Sequence, residues 1–250
     1  MSAPTFPSGS VLGYPRIGPR RELKKAVESF WAGKITADEL EATASALRVA
    51  AAQRLVDLGL DASSGAVPGS FSYYDQVLDV VALLGAVPSR FASLTDEKGA
   101  LDLAGYFTVA RGAGEDAPLE MTKWFDTNYH YLVPEISETT PFRFADDRIV
   151  RQFVEAKDAG VVTRPVVVGP VTFLALSKAA DDSAPGFSPL SRLADVLPVY
   201  VELLRALAAA GAPWVQLDEP VLVSDSIDVP AAEVRAAITE AYRVLATELA

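Results

Sequence analysis

The sequence predicts an α/β fold with a parallel sheet, arranged as a TIM-type (β/α) barrel. Three observations lead there. Short β-branched apolar runs alternate with amphipathic helices, the order that lays parallel strands beneath crossover helices. The run at residues 165–168, Pro-Val-Val-Val, is apolar throughout, as expected of a strand covered on both faces. Long segments separate the elements, 85–118 being one, which favours a decorated barrel over a compact doubly wound sheet. About five strands can be read, whereas closure of such a barrel takes eight. The last helix runs to Ala250 without a capping residue. The expectation is therefore one barrel domain spanning 1–250, incomplete at this end and continued beyond it.

The elements follow in order. Residues 11–14 read as a first strand, and 20–32 as a helix closed by Gly33. Thr36-Ala-Asp-Glu39 has the spacing of a capping box, with the Thr side chain over the helix start and the Glu reaching back. The next helix carries Leu40, Ala44, Leu47, Ala51, Leu55 and Leu58 at steps of three and four, so one face is apolar. Gly59 ends it. Residues 67–72 read as a strand, 74–84 as a helix before Gly85, and 120–125 as a third strand. A helix over 145–159 stops at Gly160. The strand at 165–168 precedes Gly169-Pro170. A helix over 190–210 ends at Gly211, with Pro198 either kinking it or marking its start. Residues 214–217 form a buried strand and 231–249 a closing helix.

Half of the 250 residues are hydrophobic and 22% are charged, which is enough for a full-sized core and outside the disordered class. No apolar run reaches the roughly 18 residues that a membrane-crossing helix requires. Residues 1–10 lack the basic start and apolar centre of a secretory signal, so a cytoplasmic, soluble protein is expected. The net charge of −11 argues against a nucleic-acid partner. With no cysteine and one histidine, His130, the chain cannot form disulfides and is poorly equipped to hold zinc by itself.

Three segments could carry chemistry. Residues 16–25 hold five basic residues (Arg16, Arg20, Arg21, Lys24, Lys25) against one acid, Glu22, a local +4 in an acidic protein. Gly18-Pro19 introduces a helix start, where free N–H groups and the positive dipole end attract anions. Arg20 and Lys24 share a face. The segment is thus either a receptor for a multiply charged carboxylate or phosphate ligand, or a solvated helix face. Residues 120–131 interleave aromatics with Lys123, Asp126, Asn128 and His130. They either line a pocket around a flat ring or form a half-buried strand whose aromatics pack inward. His130 alone reads more readily as a hydrogen-bonded structural residue than as a ligand or base. Residues 214–220, Trp-Val-Gln-Leu-Asp-Glu-Pro, place Asp218 and Glu219 at the end of a strand, where barrels hold their active sites. They could act as acid and base or hydrogen-bond a ligand. They could equally be structural carboxylates pairing with an Arg or a helix N-terminus. No nucleophile elbow, Walker loop or dinucleotide fingerprint is present.

The segment Leu-Gly-Tyr-Pro-Arg-Ile-Gly-Pro-Arg-Arg-Glu-Leu-Lys-Lys (12–25), followed by Phe-Trp-Ala-Gly (30–33), resembles the amino-terminal signature of the cobalamin-independent methionine synthases. Glu-Met-Thr-Lys-Trp-Phe-Asp-Thr-Asn-Tyr-His-Tyr-Leu-Val-Pro-Glu (120–135) resembles a second signature of that family. Residues 168–174, 197–200 and 214–220 are further matches in the same order. The resemblance implies the N-terminal portion of a chain with two β/α barrels. That enzyme moves a methyl group from 5-methyltetrahydropteroyltriglutamate to homocysteine, giving methionine without cobalamin. It implies that the catalytic zinc, its Cys and His ligands and the homocysteine pocket lie in the C-terminal barrel, absent from this chain, so that the chain alone is inactive and carries no catalytic or metal residue. It maps the folate-polyglutamate contacts onto Arg21, Glu22, Leu23, Lys24 and Lys123, with Arg16 and Asn128 as weaker neighbours; Asp218 and Glu219 are not carried over. Two other expectations stand beside it. One is a non-catalytic folate-binding module. The other is an unrelated barrel enzyme using Asp218 and Glu219 without zinc.

Overall fold

The computed structural model describes residues 5–114 and 116–249. In chain order the helices are α1 (Glu22–Trp31), α2 (Ala37–Asp57), α3 (Gln76–Leu83), α4 (Leu103–Arg111), α5 (Arg148–Asp158), α6 (Pro170–Ala175), α7 (Leu193–Ala210) and α8 (Ala231–Glu248). The strands are β1 (Val67–Gly69), β2 (Met121–Lys123), β3 (His130–Leu132), β4 (Glu135–Ile136), β5 (Thr163–Val168), β6 (Lys178–Ala179) and β7 (Gln216–Asp218). The α/β class and the parallel pairing hold: β1 runs parallel to β5, with Val67 opposite Thr163, and β7 extends the order to β1-β5-β7. Among the described residues the other strands form two separate pairs, β2-β3 antiparallel and β4-β6 parallel, and no sheet closes into a barrel. No described helix is long and apolar enough to cross a membrane.

The chain divides into two compact units. The first comprises Met1–Tyr73, Arg148–Val167 and Ala206–Gln216; the second comprises Tyr74–Asp147, Val168–Arg205 and Leu217–Ala250. The first unit is organised by α2. Thr36 accepts a hydrogen bond from the Glu39 N–H (3.2 Å) while Glu39 accepts one from the Thr36 N–H (2.8 Å), so the capping box forms as read. Leu40, Ala44, Ala52 and Leu55 of α2 are buried, and Ala52 and Leu55 pack with Val67 and Val161. Leu58, assigned to the apolar face, lies past the last turn and is 60% exposed.

In the second unit α3 is buried almost throughout, from Val77 to Leu83. Asp75 caps it, accepting from the Val77 and Leu78 N–H groups at 2.7 and 3.0 Å. Pro198 neither starts nor ends α7, which runs through it. It sits on the exposed face, as does Ala194 four residues earlier, so the carbonyl that loses its partner can be hydrated.

The expected strand at 11–14 does not form. The guanidinium of Arg164, itself 3% exposed, donates to Ser10 Oγ (2.7 Å), Val11 O (2.9 Å) and Gly65 O (2.9 Å). Within this segment the Val11 carbonyl is taken by a side chain instead of a ladder, and Val11, Leu12 and Tyr14 remain exposed.

Candidate functional site

The basic helix start lies in the first unit. Gly18 has φ +83°, and the Arg21 N–H donates to Gly18 O (3.1 Å) while the Leu23 N–H donates to Ile17 O (3.2 Å). Arg21 is the N-cap of α1 in the left-handed region, φ 63° and ψ 39°, and its side chain makes no capping hydrogen bond. An arginine in this region is strained and persists only where its surroundings dictate it. Leu23 is buried at 2% exposure and, with Val27, anchors the helix. Arg16, Arg20, Arg21, Lys24 and Lys25 are exposed. The local positive charge is smaller than the sequence count of +4, because Glu28, outside the counted residues, answers one more cation. Glu22 accepts from Arg20 Nε at 3.1 Å, and Lys24 pairs with Glu28 one turn on. The Glu22 carboxyl is held below its ordinary range, first by its own backbone N–H and then by the backbone and side chain of Arg20.

Beside this turn, still within the first unit, an apolar pocket opens between α2, α5 and the β1-β5 pair, with Tyr14, Pro15 and Arg16 on one wall. The Arg48 guanidinium sits there, donating to Glu155 (2.6 and 2.9 Å) and Glu41 (2.6 Å) and lying 4.9 Å from the Phe71 ring centre. Two carboxylates answer its single positive charge, so Arg48 presents no uncompensated cation to the pocket.

The second signature lies in the second unit and is a hairpin, not a single strand. In the register of β2 and β3, Lys123 stands opposite His130. The Trp124 N–H donates to Tyr129 O (2.8 Å), Phe125 has φ 51°, and Thr127 Oγ1 donates to Trp124 O (2.6 Å). The Asp-Thr-Asn run between two aromatic stretches was the readable turn signal. Tyr131 is buried and donates to Leu176 O (3.2 Å), with Trp124 edge-on to it at 5.9 Å. The inward-packing alternative therefore holds for Tyr131, while Lys123, Asn128, Tyr129 and His130 are exposed. Burial pushes the Tyr131 hydroxyl up to about 12.

At the end of β7, Glu219 closes a helix start. The Val171 and Thr172 N–H groups of α6 donate to its carboxylate at 3.1 and 2.6 Å. Asp218 O accepts from the Gly169 N–H at 2.8 Å. A Cβ on Gly169 would lie 2.3 Å from the Glu219 carboxyl carbon, so only glycine permits this approach. Burial raises the Glu219 pKa against those hydrogen bonds. Of the alternatives open in the sequence, pairing with a helix N-terminus is the one the structure shows for Glu219.

Comparison with known proteins adds the family. Residues 8–250 match the cobalamin-independent synthase N-terminal domain. The chain belongs to this family. It is 54% identical over 219 residues to a 5-methyltetrahydropteroyltriglutamate–homocysteine methyltransferase of Rhodococcus jostii, covering 87% of this chain and 28% of that protein. Proteins of the same name from Streptomyces coelicolor and Mycobacterium tuberculosis are each 50% identical, over 98% and 90% of this chain and 30% and 28% of their own lengths. The chain thus spans under a third of the relatives it matches. A crystal structure of a putative vitamin-B12 independent methionine synthase from Listeria monocytogenes shares the fold, with TM-score 0.51 and 17% identity over 97% of this chain and 62% of that one. The sequence resemblance to the family's N-terminal portion is borne out. In this family chain Arg21 to Lys24 form the first turn of one unit's leading helix, and Lys123 stands on a hairpin strand of the other unit.

Proposed function

We propose that this chain is the folate-gripping portion of a methyltransferase that converts homocysteine to methionine using 5-methyltetrahydropteroyltriglutamate. The observation that carries the reading is the start of α1: a helix N-terminus without a side-chain cap, carrying Arg21, Lys24 and Lys25, in a protein of net charge −11. Each glutamate of the folate tail adds a carboxylate, and an N-terminal dipole with surrounding guanidinium and ammonium groups supplies the countercharge. In this reading Arg21 and Lys24 bind the tail through their side chains. Leu23, buried and with its N–H given to Ile17 O, holds the turn in place from beneath, and Glu22 lies within the same turn. Arg16 neighbours that turn in sequence, and Lys123, exposed on β2 of the other unit with Asn128 on the same hairpin, is proposed as a folate contact in its own right. The parallel β1-β5 pair extended by β7 is the piece of wall this chain would give to a β/α barrel in the full-length protein.

Zinc does not fit this chain's donors. The sequence has no cysteine and one histidine, and among the described residues no three potential ligands converge. Thiol activation of homocysteine is therefore assigned to the C-terminal barrel, and the 250 residues alone are proposed to be inactive. Calorimetry with methylfolate triglutamate and monoglutamate tests the binding half: the triglutamate should bind more tightly, and equal affinity rejects tail recognition. Turnover of homocysteine by the isolated chain with zinc present would reject the division of labour. The alternative of a binding module without a catalytic partner predicts the same affinities, and no gain in turnover when the C-terminal barrel is added.

A further inference from the structure

We infer that the cleft between α2, α5 and the β1-β5 pair is a binding site for a small, neutral, largely apolar molecule that carries a carbonyl or similar hydrogen-bond acceptor. The inference goes beyond the folate reading and does not depend on it, since none of Arg21, Glu22, Leu23, Lys24 or Lys123 lines this cleft. The cleft lies wholly within the first unit and holds about 640 Å³ of space, part of it open to solvent, a size typical of small-molecule sites. Its walls are largely apolar: Leu47 and Ala51 from α2, Ile149 and Phe153 from α5, Phe71 just past β1, and Tyr14 from the segment before α1.

The polar group that calls for a ligand is Arg48, which lines the cleft with a side chain only 10% exposed. Its Nε and Nη2 donate to Glu155 at 2.6 and 2.9 Å, and Nη2 donates to Glu41 at 2.6 Å, so two of its three nitrogens are engaged. Nη1, the corner not held by the acids, is buried and meets no hydrogen-bond partner among the described residues. The neighbouring Tyr73 hydroxyl gives its proton to Glu41. A buried N–H without an acceptor is costly and uncommon in folded proteins. A molecule in the cleft with an oxygen toward Nη1 removes that cost.

Charge decides the kind of acceptor. Arg48 is answered by two carboxylates, and Arg148 acts on Glu41 as well, so two cations stand with two acids. An entering carboxylate or phosphate would lose its hydration and find no surplus positive charge. A cation would face the guanidinium itself. A neutral carbonyl avoids both penalties, and the apolar walls take the rest of the molecule. Arg16, on the same wall as Tyr14, is exposed, where water screens its charge.

The test is an NMR titration of the 250-residue chain with three molecules of similar size. Acetophenone offers a neutral carbonyl, ethylbenzene offers no acceptor, and benzoate is anionic. Acetophenone should bind about tenfold more tightly than either, the factor expected for one hydrogen bond from a charged donor, with shifts at the Ala51 and Ile149 methyl groups. Arg48→Lys keeps a positive charge beside Glu41 and Glu155 but gives up the guanidinium corner, and should bring acetophenone down to the ethylbenzene level. Ala51→Phe fills the cleft, leaves Arg48 and its acids in place, and should abolish binding of both. Should Arg48→Lys fail to fold, Ala51→Phe and the ranking of the three probes decide. Equal binding of acetophenone and ethylbenzene marks an apolar gap and overturns the inference, as does an acetophenone preference that survives Arg48→Lys. Tightest binding by benzoate marks an anion site and overturns it too. Unchanged binding in Ala51→Phe puts the probe elsewhere, and no binding of any probe at millimolar concentration leaves no site; either result rejects the proposal.

Discussion

Two helix starts in this protein carry a glutamate, and they use it in opposite ways. At α6 the buried Glu219 arrives from β7 and takes the Val171 and Thr172 N–H groups, closing the helix end to any other anion. At α1 the half-buried Glu22 lies inside the helix and turns back onto Arg20, leaving the N-terminus without a side-chain cap. A carboxylate next to a helix start therefore says little about reactivity until its partner is known. The strand-end acid that a barrel would suggest as catalytic holds a helix start, and the basic helix start lies in a surface turn whose Leu23 N–H goes to Ile17 O.

The comparison can be broken first at α6. Glu219→Ala leaves two part-buried donors unpaired and should cost about 2–4 kcal/mol in urea unfolding. Gly169→Ala, which forces a Cβ into the same carboxylate, should cost about 1–3 kcal/mol. Neither should alter triglutamate affinity in the folded chain; a selective loss of binding would return Glu219 to the candidate site.

A third helix start adds a pH test. Asp75 caps α3 and also accepts from the Leu132 N–H at 3.2 Å. Burial pushes its pKa up to about 7, opposed by the hydrogen bonds from Leu78, Val77 and Leu132 and aided by the charge of Asp79. Because the folded pKa is raised above the ordinary carboxylate value, the contribution to stability is full below about pH 4 and is lost as pH rises through about 7. The stability difference between the unsubstituted chain and Asp75→Asn should shrink across that window. A difference that stays flat from pH 4 to pH 8 contradicts the raised value.

The smallest effects sharpen the comparison at the α1 and α2 starts. Thr36→Ala removes half of a capping box and should cost about 1 kcal/mol. Arg21→Gly should stabilise the chain by roughly 0.5–1 kcal/mol, because glycine adopts φ 63° without strain. The same change should weaken triglutamate binding through the lost guanidinium. Stabilisation with unchanged affinity would remove Arg21 from the tail site.

Local signals survived the passage from sequence to structure best. The capping box at Thr36, the glycine stops at Gly33, Gly59 and Gly160, and the β-branched run of β5 depend on residues a few positions apart, and each forms as read. Two expectations differ from the structure because the deciding partner lies outside the segment itself. The stretch at 11–14 has strand-like residues, yet Arg164 takes its Val11 carbonyl. The stretch at 120–125 reads as a third strand, whereas the strand ends at Lys123 and pairs with one that begins at His130, across the Asp-Thr-Asn turn. The short β4-β6 pair has two residues per strand, too few for any periodicity. At the candidate site the basic residues were legible, but their acid partners, and the left-handed backbone at Arg21, were not. Hydrogen-bonded carboxylates look the same in a sequence as free ones.

The Arg164 tether also sets an order of events. Ser10 and the guanidinium that holds it are 154 residues apart. On a ribosome adding about 5–20 residues per second, the amino-terminal segment would wait on the order of ten seconds for its anchor. During that interval Leu12, Tyr14 and the basic turn are held by no contact from β5. Residues 10–14 would be among the last of their unit to settle, so shortened nascent chains ending before β5 should leave this segment open to protease.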